Sequence, residues 1–390
     1  ILGAGPAGVG GAYALTRDRR ARVTVVEAQH AVGGNAGSFT WDGQRLDYGS
    51  HRLHPASDPA IVADIRRMLG DDLLDRPRHG RIRLRGRWIH FPLKPVDLAL
   101  RLDPGFALGS LRDAGAKAFA GRREEGDTFA SVLYANLGTT ICEDFYFPYA
   151  RKIWGREPEE LSGIQARRRV SAGSFLKLAR KVLNAVPGMK PTGAGRFWYP
   201  RRGFGQISEA YADAAVQAGA ELALGWRVTR VAREPGDGIL WSGTAEQGTE
   251  QRTWQADHVW SPLPISLLAR MVDPAPPAPV LEASAAISYR AMILVYLRLD
   301  VPRFTEFDAH YLPGADIAIT RLSEPKNYAA LTEPARHTIL CAELPCSPGD
   351  RYWELDDVAL GTLVADDLAR AGLPLARPPV GVMVRRLQQA

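Results

Sequence analysis

The sequence predicts an α/β fold that opens with a strand–helix–strand unit and continues into a second, mixed α/β region. Three observations predict it. The chain starts Ile1-Leu2-Gly3-Ala4-Gly5-Pro6-Ala7-Gly8, an apolar strand end running into a glycine-spaced loop. Ala12, Leu15 and neighbouring small residues suit a helix packed on a sheet. A strand-like run, Val23-Thr24-Val25-Val26, then ends at Glu27. Gly3 permits the tight turn, Gly5 lets backbone approach a pyrophosphate, and Gly8 lets the helix pack closely on the sheet. The N-terminal N–H groups of that helix point at the phosphates. Glu27 lies roughly 20 residues past the loop, where an acid accepts hydrogen bonds from a ribose 2′-OH. Strand, loop, helix, strand and acid in this order make a Rossmann-like dinucleotide-binding unit.

Composition bounds the remaining possibilities. A chain of 390 residues allows two or three domains and a large core. Its 46% hydrophobic and 24% charged residues are those of an ordinary globular protein. The formal net charge of +6 and the pI near 9.3 come mostly from arginine. Arginine forks suit carboxylates and phosphates, so an anionic small-molecule substrate is expected; a compositional bias towards arginine is the equal alternative. No basic block is interleaved with aromatics, which argues against nucleic acid. No window approaches about 18 uninterrupted apolar residues, so no transmembrane span is expected, and peripheral membrane contact stays open. Cys142, Cys341 and Cys346 form neither a disulfide framework nor a zinc pattern. Reduced thiols and a cytoplasmic location are the expectation. Composition leaves the oligomeric state open.

A second glycine pair follows the acid, in Gly33-Gly34-Asn35, and then comes Asp47-Tyr48-Gly49-Ser50-His51. Glycine tolerates positive φ and has no Cβ, so such a pair lets another backbone segment approach a bound cofactor. The order GxGxxG, Glu, GG, D-x-G-x-H resembles the FAD-binding amine-oxidase superfamily. Within it the chain looks like the protoporphyrinogen-oxidase-like and UDP-galactopyranose-mutase-like branches. The resemblance implies FAD as cofactor. It further implies that Gly3, Gly5, Pro6, Ala7, Gly8, Glu27, Ala28, Gly33, Gly34, Asn35, Gly49, Ser50 and His51 contact it, with a backbone contact to adenine near Val228.

The other elements follow in order. Residues 1–55 are the first segment of a discontinuous FAD-binding domain. Residues 60–69 read as a helix, and 81–84 with 88–91 as a β-hairpin around Gly86. Residues 95–186 read as mainly helical, broken at Pro104-Gly105, Gly121 and Pro158, so 56–198 form an inserted cap or substrate domain. Tyr199-Pro200-Arg201-Arg202-Gly203 turns into a helix over 206–218, ended by Gly219. A strand over 226–231, a polar hairpin around Gly236-Asp237-Gly238 and a strand over 257–261 complete the second FAD-binding segment, 199–265. After a proline-rich linker at 274–279, strands over 293–299, 317–320 and 339–343 and a helix over 356–371 give a substrate-domain sheet, 266–390. The resemblance implies a closing glycine-containing segment along the flavin. Nothing in 372–390 matches it and the chain begins inside its first strand, so truncation at both ends is expected.

Three constellations are candidates for chemistry. Gly49-Ser50-His51-Arg52-Leu53-His54 resembles the G-A-H-x-x-H stretch of UDP-galactopyranose mutases. The resemblance implies that His51 is the flavin-adjacent catalytic residue, able to tune the ring's protonation or redox behaviour. His54 reads equally as a polar core residue. With no supporting acid or cysteine, the two histidines predict no metal. Tyr149-Ala150-Arg151-Lys152-Ile153-Trp154-Gly155, followed by Pro158, Glu160, Leu161 and Ser162, looks like the family's Y-x-x-K-x-W-G-x-x-P-x-E-L-S block. Tyr149 and Lys152 share a helical face. They line a substrate site in one reading and pack or solvate the cap in the other. Arg321-Leu322-Ser323-Glu324-Pro325-Lys326-Asn327-Tyr328 is similar to a run in protoporphyrinogen-oxidase-like relatives. It is either a substrate-facing loop carrying Arg321 and Lys326 or a turn with a solvated charged face. Arg290 is a further candidate for a substrate phosphate or carboxylate.

There is no G-x-S-x-G signature and no P-loop. The expected function is that of an FAD-dependent oxidoreductase, protoporphyrinogen-oxidase-like, transferring a hydride from a small anionic substrate to flavin N5. One alternative is a UDP-galactopyranose-mutase-like isomerase using reduced FAD on a UDP-sugar, with arginines holding the diphosphate. A second is a non-catalytic flavin-fold binding protein.

Overall fold

In the computed structural model, which describes residues 1–120, 126–169, 195–235 and 240–389, the chain divides into two units, each made of two stretches. One unit comprises Ile1–Asp75 and Trp198–Tyr289; the other comprises Arg76–Phe197 and Arg290–Ala390. The expected break at Gly121, the helical reading of 170–186 and the hairpin tip at 236–238 lie outside the described residues.

The first unit is built around the strand Thr24–Glu27, whose central valines are buried. Leu2 bridges Val26 in parallel on one side, and Glu221–Leu224 pairs in parallel on the other, Thr24 opposite Glu221 and Glu27 opposite Leu224. The strand Glu221–Leu224 is absent from the sequence expectation, which passes from Gly219 straight to residue 226. Only four residues long, it shows no repeating pattern. The helices Pro6–Thr16 and Gln206–Gln217 share a core that includes Val9, Ala12, Ala212 and Ala215. The helix Pro59–Leu69 adds Met68 to that core, so residues 56–75 pack with this unit and not with the inserted block. Arg227–Arg233 is the expected strand. It joins a four-stranded sheet with Trp241–Gln247, Glu250–Ala256 and Val272–Asp273. Residues 257–261 are not a strand, although the Trp260 carbonyl accepts the Leu2 N–H at 2.9 Å. The segment expected as a turn at 199–203 begins as a strand, Arg196–Pro200.

The second unit carries a seven-stranded sheet in the order Gly381–Leu387, Ala291–Leu299, Thr338–Cys346, Arg321–Ser323, Ala309–Tyr311, Gly80–Leu84 and Arg87–Phe91. Every neighbouring pair is antiparallel except Ala309–Tyr311 with Gly80–Leu84. Ile293, Val295, Leu297, Leu340, Ala342 and Leu344 face one side and pack on Leu360, Val364 and Leu368 of the helix Asp357–Arg370. The hairpin 80–91 turns through Arg85 and Gly86, both at positive φ, as a two-residue turn between twisted strands requires. Helices Pro95–Arg101, Pro104–Ala120, Phe129–Leu137, Phe147–Trp154 and Gly163–Arg169, with the short helical turns Thr139–Ile141 and Cys142–Tyr146, make up the described part of the helical block. No helix among the described residues is long and apolar enough to cross a membrane.

Residues 317–320 do not form the expected strand. The buried Asp367 carboxylate takes the N–H groups of Ala318 and Ile319 at 2.8 and 3.0 Å, in place of a neighbouring strand. Asp367 also pairs with Arg370. Replacing Asp367 with alanine leaves two backbone donors without their acceptor. It is expected to cost about 3 kcal/mol, read as a lowered urea midpoint. An unchanged midpoint would show that the segment is held by other contacts.

Candidate functional site

The dinucleotide loop is held from both sides by backbone hydrogen bonds. Gly3, at φ 105°, donates its N–H to the Val26 carbonyl at 2.7 Å. The Ala4 N–H is bound by Glu27 Oε2 at 2.7 Å, and the Gln29 N–H by Glu27 Oε1 at 2.8 Å. A Cβ on residue 8 would lie 1.9 Å from the Gly3 carbonyl oxygen, so only glycine lets the helix come this close. Gly5 faces open space, while Pro6 and Ala7 are exposed at the start of the helix. No side chain caps that helix and no acid lies in its first turn. Its leading end is therefore suited to an anion.

The second glycine pair lies against this loop. The Gly33 N–H is bound by the Ala4 carbonyl at 2.8 Å, and a Cβ on Gly34 would lie 3.5 Å from the Gly5 Cα. Gly33 and Gly34 have φ of 108° and 50°, and Asn35 continues into a short helical turn, Gly34–Ala36. Ala28 follows Glu27 directly and is half-buried. Val228 lies in the strand Arg227–Arg233 and packs on the cluster of Val26, Ala223, Trp226 and Ala245. The residues fit FAD on two counts. The uncapped helix start and the space over Gly5 suit a pyrophosphate. Each Glu27 oxygen takes one backbone N–H and keeps a lone pair for a ribose hydroxyl.

Gly49, at φ 93°, turns the chain towards Ser50 and His51. The His51 ring stacks on Phe204, centroids 5.3 Å apart and 24° between planes. His54 is occupied differently, its Nδ1 accepting the Ala56 N–H at 3.0 Å. The position of Phe204 depends on Asp47, a residue the motif contains but the sequence reading gives no role. Asp47 accepts from Ser38 Oγ at 2.6 Å, the Tyr199 hydroxyl at 2.6 Å and the Phe204 N–H at 2.8 Å. Ser38 Oγ in turn accepts the Gly205 N–H at 2.8 Å. Burial pushes the Asp47 carboxyl above its ordinary range, against the pull of these bonds. Tyr199 and Phe204 are remote in sequence, so only the D-x-G-x-H motif could have signalled the node.

The cations expected at a substrate site belong to the second unit, and the structure does not bring them together at one surface. Lys152 Nζ donates to the carbonyls of Leu312, Ile319 and Gly314 at 2.5, 2.8 and 3.1 Å, and burial pulls its pKa down to about 8. Lys326 is buried and donates to the carbonyls of Pro334, Pro302 and His337 at 2.6, 2.8 and 3.1 Å. The Arg321–Tyr328 run is therefore neither a solvated turn nor a loop presenting Lys326. Arg321 forks onto the buried Glu343 at 2.9 and 2.6 Å. Burial opposes the Arg321 charge, but Glu343 outweighs it and holds the guanidinium above its ordinary value. Arg290 donates to Ser347 Oγ and to the carbonyls of Ile153, Lys152 and Pro345 at 2.5, 3.2, 3.2 and 3.4 Å. Tyr149 stacks with Phe145 at 6.2 Å.

Comparison with known proteins places the chain among flavoproteins. The sequence profile described as flavin containing amine oxidoreductase matches residues 6–390. A phytoene dehydrogenase from Streptomyces griseus is 28% identical over 273 residues, covering 60% of this chain and 48% of that protein. This chain thus spans about half the length of that curated relative. The structure of reduced UDP-galactopyranose mutase superposes with a TM-score of 0.83 at 19% identity, covering 100% of this chain and 83% of that one. A protein assigned as a protoporphyrinogen oxidase, from Exiguobacterium sp. 255-15, gives 0.73 at 19% identity, covering 99% and 85%. At these identities the two structures speak for the fold.

Two outcomes are expected from this geometry. Glu27→Ala should weaken FAD retention about tenfold or more, measured by quenching of flavin fluorescence, because it removes a carboxylate acceptor. Unchanged affinity would take Glu27 out of the site. Asp47→Ala should cost about 3 kcal/mol in a urea melt, since it strips three donors of their acceptor. A neutral result would mean that the Gly203–Gly205 turn holds itself.

Proposed function

We propose, from the premise that this chain belongs to the flavin containing amine oxidoreductase family, that its FAD-dependent reaction removes a hydride from a carbon of a small-molecule substrate. FAD, when bound, supplies the acceptor for that hydride at flavin N5. In this reading Gly3, Gly5 and Gly8 admit the pyrophosphate, and Glu27 holds the adenosine ribose. Gly33, Gly34 and Asn35 close over the same stretch. His51, held flat against Phe204, is the polar group that meets the flavin.

The observation that favours oxidation over isomerisation is the occupation of Arg290 and Arg321, the two arginines expected at a substrate site. A mutase-like reaction needs arginines to hold a diphosphate. Arg290 and Arg321 are instead bound by this chain's own carbonyls, hydroxyl and carboxylate. The names of two similar proteins, a dehydrogenase and an oxidase, agree with net oxidation. The expectation of an anionic substrate rested on the arginine-rich composition as well as on these cations; the substrate class of this reading is a small molecule oxidised at carbon.

The two reactions differ in redox demand. Offered porphyrinogens, polyenes and amines, the FAD-loaded protein should consume one two-electron equivalent of acceptor for each hydride removed from the substrate. Interconversion of a UDP-sugar by the dithionite-reduced protein, with no acceptor consumed, would establish the isomerase instead. His51→Ala should alter turnover or the flavin absorption bands while leaving the fold intact. A variant identical to the parent in both would remove His51 from the site.

A further inference from the structure

The second unit holds a cavity of about 250 Å³ whose wall includes Arg81, Trp88, His90, Lys94 and Phe307. None of these residues belongs to the dinucleotide loop. Arg81 lies opposite His90 on one neighbouring strand and opposite His310 on the other, so the three side chains share one face of the sheet. The Arg81 guanidinium carbon lies 4.3 Å from the Trp88 ring centroid and 4.5 Å from that of Phe307. Such contacts fix the plane of the guanidinium and leave its N–H edge as the binding surface. Among the described residues no acceptor is hydrogen-bonded to Arg81 and no carboxylate pairs with it within 4 Å; its Nε is buried, and Glu306 on the cavity wall favours its charge from further away.

The wall around Arg81 is ordered. The Pro92 carbonyl can only accept, so His90 Nδ1 donates to it at 2.9 Å. In the neutral ring His90 Nε2 then accepts from His79 Nδ1 at 3.1 Å. The His79 ring stacks on Phe307 at 4.6 Å and 17°. Asp97 is already engaged, taking the His90 N–H at 2.7 Å and pairing with Arg101 at 3.2 Å. Glu306 is exposed and lies 3.6 Å from His79. Behind the wall His310 is fully buried with no hydrogen-bond partner on either ring nitrogen. Burial, with Arg81 adding to it, pulls the His310 pKa down to about 3, so Arg81 alone of this pair carries charge at neutral pH.

We propose that this cavity binds the phosphate group of a small ligand, with Arg81 as its forked receptor and Lys94 as a second cation. A guanidinium with aromatic faces and no carboxylate partner is a bidentate oxyanion receptor. A phosphate has acceptor oxygens left for Lys94 after the fork is filled, whereas a carboxylate has both oxygens on the fork. The phosphate can come from a soluble metabolite or from a lipid headgroup.

The test is titration calorimetry of the FAD-loaded protein with inorganic phosphate, alongside Arg81→Gln and Arg81→Lys. FAD keeps the dinucleotide loop filled, and the flavin spectrum checks that each variant is folded. The expected result is saturable phosphate binding, weakened about tenfold or more in Arg81→Gln and partly kept in Arg81→Lys. No saturable binding by the parent, or equal binding by folded Arg81→Gln, would overturn the proposal. Sedimentation with phosphatidic acid vesicles that Arg81→Gln abolishes would make the source a lipid. Phosphate binding without sedimentation would make it a soluble ligand.

Discussion

Asp47 accepts hydrogen bonds from Tyr199 and from Phe204, 152 and 157 residues further along the chain. The first unit is built from two distant stretches, and this carboxylate lies where they meet. Burying it works against its charge, since a carboxylate removed from water is costly unless donors replace the solvent. Three donors do so, and two of them adjoin the glycine turn and His51. Ser38 follows the Gly33–Gly37 turn, and Phe204 carries the ring on which His51 rests. The parallel pairing of Thr24–Glu27 with Glu221–Leu224 joins the same two stretches.

The second unit uses its cations differently from what their sequence context suggests. Lys152 ties the helix Phe147–Trp154 to the loop at 312–319, and Lys326 gathers three carbonyls from 302–337. An ammonium with three N–H donors matches three carbonyls, so each lysine works as a buried staple. Arg321 and Glu343 neutralise one another across adjacent strands. These cations hold the unit together, and that role is independent of the substrate.

The dinucleotide loop was legible because its constraints are local. Gly3 and Gly8 lie five residues apart and meet directly, and Glu27 reaches back to the loop from the adjacent strand. The hairpin at 80–91 and the long strand Ala291–Leu299 were legible from alternation and from β-branched and apolar content. What was not legible depended on distant partners. Residues 317–320 look like a strand because they are apolar, yet the N–H groups of Ala318 and Ile319 are taken by Asp367, 49 and 48 positions away. Glu221–Leu224 is a strand because Thr24–Glu27 needs a neighbour, not because its four residues alternate. The lysines and arginines looked like ligand-binding groups because sequence shows a charge and not what already surrounds it.

The most direct test of this account is a crystal structure of the FAD-loaded protein. It should place the pyrophosphate over Gly5 at the start of the helix Pro6–Thr16 and the adenosine ribose on Glu27, with the flavin at the end of the site that contains His51. A pyrophosphate held elsewhere, or a ribose turned away from Glu27, would contradict it.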